Sequence, residues 1–425
     1  MKGGKVMTTD DLIENRHDDG FLNIADHDSY IHGVPHASFA RLRAEDSVHW
    51  TTPTDGMRSF WSVTRQADIL EANGKPEIFS SAKGIRIEDQ THEEYMARRT
   101  FQETDPPDHR VTRKLVNPAF SRPAISQYET MIRQLAGDIV DAAVAHGSFD
   151  AVDAIAKQLP MMMLGRILGL PNSDLDWLVE KGDALIGNTD PDFTDHVVDK
   201  MDSDAYRFMP FRSPAGADLY DYAEGVFAGS KPVDPKGVLH RVIDAEKGLA
   251  LADFKNFFCL LVAAGNDTTR YSIAMALYLL TRHDELLGQL QSGKVDDTAA
   301  DEIIRLASPT MHFRRTATQD TVLGGKSIAK GDKVVLWFVS GNRDEAVFAD
   351  PHRPRLDRNP NPNVAFGQGG PHFCLGMWLA RLEVKVVLQV LADRLAGIEA
   401  VGPPRWTRSN FICGVKSLPV QVHVK

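Results

Sequence analysis

Apolar residues recur at three- and four-residue steps over Tyr128–His146, Asp174–Ile186, Ala252–Arg282, Thr298–Ala307 and Leu375–Leu395. That spacing puts them on one face of a helix and predicts a helix over each span. Strand-like pieces are short. Phe60–Val63 follows a turn signal at Asp55-Gly56. Thr321–Ile328 and Lys333–Val339 surround Gly324-Gly325 and Gly331-Asp332, which read as hairpin turns. The expected class is mainly α with a small sheet. Residues 203–236 fit poorly, because Arg212-Ser213-Pro214-Ala215-Gly216, Gly229 and Pro232 interrupt any continuous helix. A segment around 185–236 is therefore expected to be a mobile connection, with a lid and a plain surface insertion both open.

Composition narrows the class. A chain of 425 residues exceeds the usual single-domain size, which leaves two domains or one large one grown around a cofactor. Its net charge of −10 argues against general binding to nucleic acid or an anionic membrane, while leaving room for a local basic patch. Cys259, Cys374 and Cys413 are widely spaced and odd in number, so a disulfide framework is not expected and a reducing cytoplasm is. Met1 to Asp11 is too polar for a signal peptide, and Met7 is a second candidate start. The best apolar run, Phe257–Ala264, stops at Gly265-Asn266-Asp267, too short to span a bilayer. A cytoplasmic protein without a membrane anchor is expected.

The most informative segment is Phe366-Gly367-Gln368-Gly369-Gly370-Pro371-His372-Phe373-Cys374-Leu375-Gly376. Its glycines let backbone approach a flat ligand closely. Cys374 then opens an apolar helix, whose free N–H groups and positive dipole favour a thiolate over a thiol. A buried structural cysteine after a Gly-rich turn is the alternative, and the length of the pattern outweighs it. The segment resembles the haem-binding loop of the cytochrome P-450 family, in a form one residue longer than usual. One branch of bacterial members, including sterol side-chain and methyl-branched lipid hydroxylases, carries that longer loop. The resemblance implies Cys374 as the iron ligand of haem b. It implies Phe366, Gly367 and Gly376 as residues against the porphyrin. It runs from about Phe60 to the C-terminus, is weakest over 203–236, and implies one domain with a triangular, mainly helical fold and a small β-rich lobe.

A second signal is Ala263-Ala264-Gly265-Asn266-Asp267-Thr268-Thr269 inside the long apolar helix. An acid and two threonines are costly in a buried helix unless they are hydrogen-bonded, and threonine can bond back to a carbonyl one turn earlier. A packed helix kink is one reading. The other is a groove beside Ala264 and Gly265 wide enough for dioxygen, with Asp267 and Thr268 delivering protons. This resembles the family's acid–alcohol pair, although Asn266 stands where the family often has His or Glu.

Glu302 and Arg305 lie one turn apart, and such a pair alone is a common surface ion pair worth about 0.3–0.5 kcal/mol. The resemblance implies instead a buried Glu-x-x-Arg completed by Arg353, with Arg358 as the rival because Pro354 replaces the usual phenylalanine. His109 and Arg113 share a helix face by their spacing of four. With Arg315 and His372 they stand in family register as anchors for haem propionates. The function implied is NAD(P)H-driven insertion of one oxygen atom into a C–H bond. The substrate implied is a hydrophobic terpenoid, steroid or branched lipid, and one polar or acidic end is compatible with it. The 83–100 loop, Ala263, Ala264, Met311, His312 and Ile412 would form the pocket by register. Electrons would come from a separate ferredoxin and ferredoxin reductase, and the protein is expected to be a monomer. A peroxide-driven peroxygenase, a haem sensor without turnover and a zinc site at Cys374 and His372 are the rivals.

Overall fold

The structure, a computed structural model, describes residues 22–54, 56–245, 248–295 and 297–425. The polar start Met1–Asp11, Met7 and the turn residue Asp55 lie outside the described residues. Its axis is the helix Leu251–Leu280, most of whose side chains are buried on every face. A helix apolar all round must be surrounded. It packs against Gln158–Leu168, Leu175–Ile186, Pro214–Phe227, Ala299–Ala307 and Met377–Arg394, and their shared apolar side chains form the larger core. At about 1.5 Å per residue this helix crosses the whole helical part, so residues in its middle are placed deep inside. Among the described residues, no helix is long and apolar enough to cross a membrane.

Each of the helices expected from periodicity is present, with ends that differ from the expected ones by no more than two residues. Two expectations fail. Within 203–236, Pro214–Phe227 is a continuous helix of 14 residues. Pro214 starts it rather than breaking it, because proline at the first helical position gives up no bonded N–H. The Ser213 hydroxyl caps it by accepting the Ala215 N–H at 3.2 Å. The second failure is the turn at Gly331-Asp332. Thr321–Leu323 and Lys326–Ile328 do form a hairpin across Gly324-Gly325, but Lys333–Trp337 joins a different sheet. All five residues of that strand are buried, so it needs a neighbour on each side. It runs parallel to Phe60–Val63 and antiparallel to His312–Ala317 in a five-stranded sheet flanked by Val48–Thr51 and Phe79–Ser80.

Candidate active site

Cys374 sits between two elements. The loop Phe366–Cys374 is closed by the Cys374 N–H donating to the Phe366 carbonyl at 2.9 Å. A Cβ on Gly370 would come within 2.2 Å of the Asn73 carbonyl oxygen, so only glycine lets the loop lie this close to the neighbouring helix. The following helix begins at Met377 with Gly376 as its cap, two residues later than its periodicity suggests. Cys374 is exposed where it lines a cavity of about 710 Å³. Burial pushes its thiol up, while N–H groups of Gly376 and Met377 and the charges of Arg113 and Arg381 pull the other way.

The same cavity is bounded by Ala263, Ala264, Gly265 and Thr268 of the long helix, by Phe366, Gly367 and Gly376, and by His109, Arg113, His372 and Ile412. Thr268 does what threonine does in a helix, its hydroxyl donating to the Ala264 carbonyl at 2.8 Å. Gly265 has a packing task as well, since a Cβ there would meet the Leu164 side chain at 2.7 Å.

Asp267 is not on the cavity wall. It is 1% exposed and ion-paired with Arg270, one turn further along. Arg270 also donates to Asp183 at 2.6 Å, and Asp183 takes Asn266 at 2.7 Å and Lys157 at 2.8 Å. Asp183 thus holds the well-aligned bonds, and neither Asp267 oxygen has a hydrogen bond of good geometry. Burial first, and Asp183 after it, push the Asp267 carboxyl up, against the opposing charge of Arg270.

His109 and His372 pack ring against ring at 4.3 Å. Both ring nitrogens of His109, and Nδ1 of His372, are buried without a partner. Burial, aided by nearby arginines, lowers His109 to about 4 and His372 to about 2. Arg113 donates to the carbonyls of Pro371 (3.2 Å) and Phe373 on the cysteine loop. Arg315 stands off the wall, bonded to the Arg314 carbonyl at 2.9 Å and Asn73 Oδ1 at 3.1 Å. Its charge is close enough to depress His372.

Glu302 and Arg305 are fully buried and joined by two bonds of 2.8 Å. The third member is Arg358, not Arg353. Arg358 Nε donates to both Glu302 oxygens, at 3.0 and 3.2 Å, whereas Arg353 is exposed. One turn, closed by the Arg353 N–H on the Asp350 carbonyl, leaves Arg353 in solvent, and a second, from Arg355 to Arg358, brings Arg358 inside. Burial raises the Glu302 carboxyl, and the bonds from Arg305, the Arg355 N–H and Arg358 more than offset it.

Two expected pocket residues lie elsewhere. Met311 belongs to the small core with Trp337, and His312 is fully buried, its Nδ1 3.0 Å from the Asn410 carbonyl. The wall there is made by Thr310, Phe313, Phe411 and Ile412. The 83–100 stretch does line the cavity, through Gly84, Ile85, Arg86, Glu88, Arg98 and Thr100 among others, while Phe211 and Arg212 line it from outside the expected pocket.

Comparison with known proteins decides the family. A family model described as "Cytochrome P450" matches residues 296–394. The methyl-branched lipid omega-hydroxylase of Mycobacterium tuberculosis is 35% identical over 400 residues, covering 91% of this chain and 91% of that one. The chain belongs to the cytochrome P450 family. The linalool 8-monooxygenase of Pseudomonas putida is likewise 35% identical, over 92% of this cytochrome P450 and 97% of its own length. Among solved structures, the Mycobacterium marinum cytochrome P450 CYP268A2 in complex with pseudoionone matches with a TM-score of 0.82 and 36% identity. It covers 91% of this chain and 94% of that one. This cytochrome P450 is a haem-thiolate enzyme with a cysteine-ligated haem. The residues present fit that group, because His109 and His372, whose ring nitrogens include buried ones without a partner, line the cavity that Cys374 also lines.

Proposed function

We propose that this enzyme inserts one atom of dioxygen into a C–H bond of a hydrophobic small molecule, a terpenoid, steroid or branched lipid. The observation that carries the reading is that Cys374 and Thr268 line one and the same cavity. Bound there, a thiolate-ligated haem supplies dioxygen activation, its sulfur donating electron density that favours O–O cleavage.

The chain's own residues do the rest. Cys374 is the ligand, and the Gly376 and Met377 N–H groups with Arg113 favour its thiolate against the cost of burial. His109, His372 and Arg113 hold the propionates, with Arg315 adding positive charge behind His372. Thr268 presents its hydroxyl to the reacting oxygen by turning from the Ala264 carbonyl. Asp267, raised by burial, holds a proton at higher pH than an ordinary carboxyl and passes it towards Thr268 when it leaves Arg270. Phe101, Leu164, Ile186, Leu261, Phe313 and Phe411 bound the space and exclude water. The substrates in the relatives' names, a methyl-branched lipid and linalool, support a hydrophobic substrate. Electrons come from a separate ferredoxin and reductase.

The test is Cys374→His. The variant should keep haem, lose monooxygenation with NADH and a surrogate ferredoxin and reductase, and lose the red-shifted band of the reduced carbon-monoxide complex. Survival of that band would assign the ligand to Cys259 or Cys413. Product formation from peroxide alone, with none from NADH, would favour a peroxygenase.

A further inference from the structure

Arg270 is held more firmly by its other neighbours than by Asp267. One outer nitrogen donates to Asp183 Oδ1 at 2.6 Å, and the other to the Tyr271 hydroxyl at 3.2 Å. The guanidinium lies between two rings, Tyr271 at 4.9 Å and Phe193 at 5.6 Å, which fix its plane. Tyr271 is itself anchored, since the Thr407 hydroxyl donates to it at 2.9 Å. Asp267 touches the same guanidinium, yet neither of its oxygens makes a bond of good geometry. Two buried acids therefore compete for one arginine.

Asp183 also has a second cation. Lys157 reaches its other oxygen at 2.8 Å, and the Lys157 side chain is 32% exposed where Asp183, Arg270 and Asp267 are buried. Lys157 follows Val152–Ala156, a π-turn, and its N–H donates to the Val152 carbonyl five residues back at 2.9 Å. Turns widened in this way are rare and occur most often at functional sites. The Asn266 amide adds a bond of 2.7 Å to the Asp183 oxygen that takes Arg270. Lys157, Asp183, Arg270 and Asp267 thus form a row of contacts of alternating sign, which begins at the surface and ends beside Thr268.

A structural role alone would need no second acid, because Arg270 and Asp267, one turn apart, already neutralise each other. What Asp183 changes is the proton on Asp267. A buried carboxyl keeps its proton more readily when the nearby cation is taken up by another carboxylate. Burial and then Asp183 push the Asp267 carboxyl up, while Arg270 and Lys157 pull it down. Tyr271, raised by burial, stays a neutral phenol beside them.

We propose that Asp183 and Lys157 are positioning residues for proton delivery. Asp183 anchors Arg270, which leaves Asp267 free to carry a proton towards Thr268, and Lys157 sets how firmly Asp183 holds the arginine. The step is a proton transfer alone. The Asp267 O–H bond breaks, and the Thr268 oxygen gains that proton as its hydroxyl gives its own to the reacting oxygen. Water reprotonates the carboxylate left behind. The inference rests on the monooxygenase reading and adds two residues to its proton path.

The test follows the protonated carboxyl of Asp267 with pH in the full-length resting holoenzyme, by infrared spectroscopy. The band is identified as the one lost in Asp267→Asn. Asp183→Asn keeps the shape and removes the charge, so Arg270 turns to Asp267 and the band should disappear about one pH unit or more lower than in the parent. Lys157→Met removes a cation and should move the disappearance to higher pH, and Lys157→Arg should bring it back. Lost packing would not give shifts of opposite sign. Lys157→Met, at a partly exposed side chain, covers the case in which the buried variant fails to fold. With linalool as the probe, NADH and a surrogate ferredoxin and reductase, the fall of coupled turnover at high pH should move with the band. Absence of either shift, two shifts of one sign, or a parent enzyme without the band overturns the proposal. No product from linalool in the unmodified enzyme strikes the monooxygenase reading instead, because the infrared titration needs no turnover.

Discussion

Asp267 and Thr268 are adjacent in sequence, and their side chains leave the helix about 100° apart. Thr268 therefore meets the cavity while Asp267 turns into the packed side, against Arg270. Such a division suits an alcohol that touches the reacting oxygen and an acid that supplies protons from behind. Removing the Thr268 hydroxyl leaves electron flow intact but misdirects protons. Thr268→Ala should then oxidise NADH while releasing hydrogen peroxide in place of product. Asp267→Asn keeps the shape and removes the proton, so oxygen activation should slow by about 10²-fold or more. The sign with pH follows from the raised carboxyl: coupled turnover in the unmodified enzyme should fall as pH rises through the Asp267 titration, and the asparagine variant should lack that limb. Peroxide and product measured side by side check both variants, and wild-type coupling in each would sink the roles.

At the scale of elements, Glu302 ties the helix Ala299–Ala307 to the irregular stretch that leads into the cysteine loop. Arg305 adds carbonyl bonds to Asn342 at 2.7 Å and Pro351 at 2.8 Å, and Asn361 donates to Glu302 at 3.1 Å. Removing one partner from such a buried cluster leaves a charge uncompensated, which costs about 3–5 kcal/mol. Arg358→Ala should accordingly lower the melting temperature sharply and impair haem retention. Arg353→Ala, at an exposed side chain, should stay within about 0.5 kcal/mol of the parent. Thermal unfolding of the two variants, with haem content, checks the assignment. The contrast also shows what a sequence can reveal. Helices with sustained three- and four-residue periodicity were legible because burial writes their pattern locally. The choice between Arg353 and Arg358 was not, because it depends on two successive turns between Asp350 and Arg358. Nor was the parallel partner of Lys333–Trp337, which lies far back in the chain at Phe60–Val63. The cysteine motif was readable as a unit, whereas Asp183 and Arg270 meet only through the fold.

At the scale of the whole molecule, the proposed ferredoxin donor raises a question of charge. The net charge of −10 opposes the approach of an acidic ferredoxin, so encounter needs a local patch of opposite sign. On that proposal the helix Asp108–Val116 carries the patch. Its Arg113 reaches inward to the cysteine-loop carbonyls, while Arg110 and Lys114 are exposed beside it, with Val111 61% exposed between them. Arg110 and Lys114 lie around a shallow surface dent with Asn117 and Pro118, on the helix that contacts the Cys374 loop. A donor seated there would lie against the helix whose Arg113 bonds the cysteine-loop carbonyls. Arg110→Glu combined with Lys114→Glu reverses the patch without touching the cavity. The double variant should raise the ferredoxin concentration for half-maximal turnover, leaving haem content and substrate affinity unchanged. Exposed charges are screened beyond about 8–10 Å at ordinary ionic strength, so the defect should shrink as salt rises. A defect independent of salt would mean lost packing rather than lost steering. Unaltered ferredoxin dependence at low salt would put the docking surface on another face.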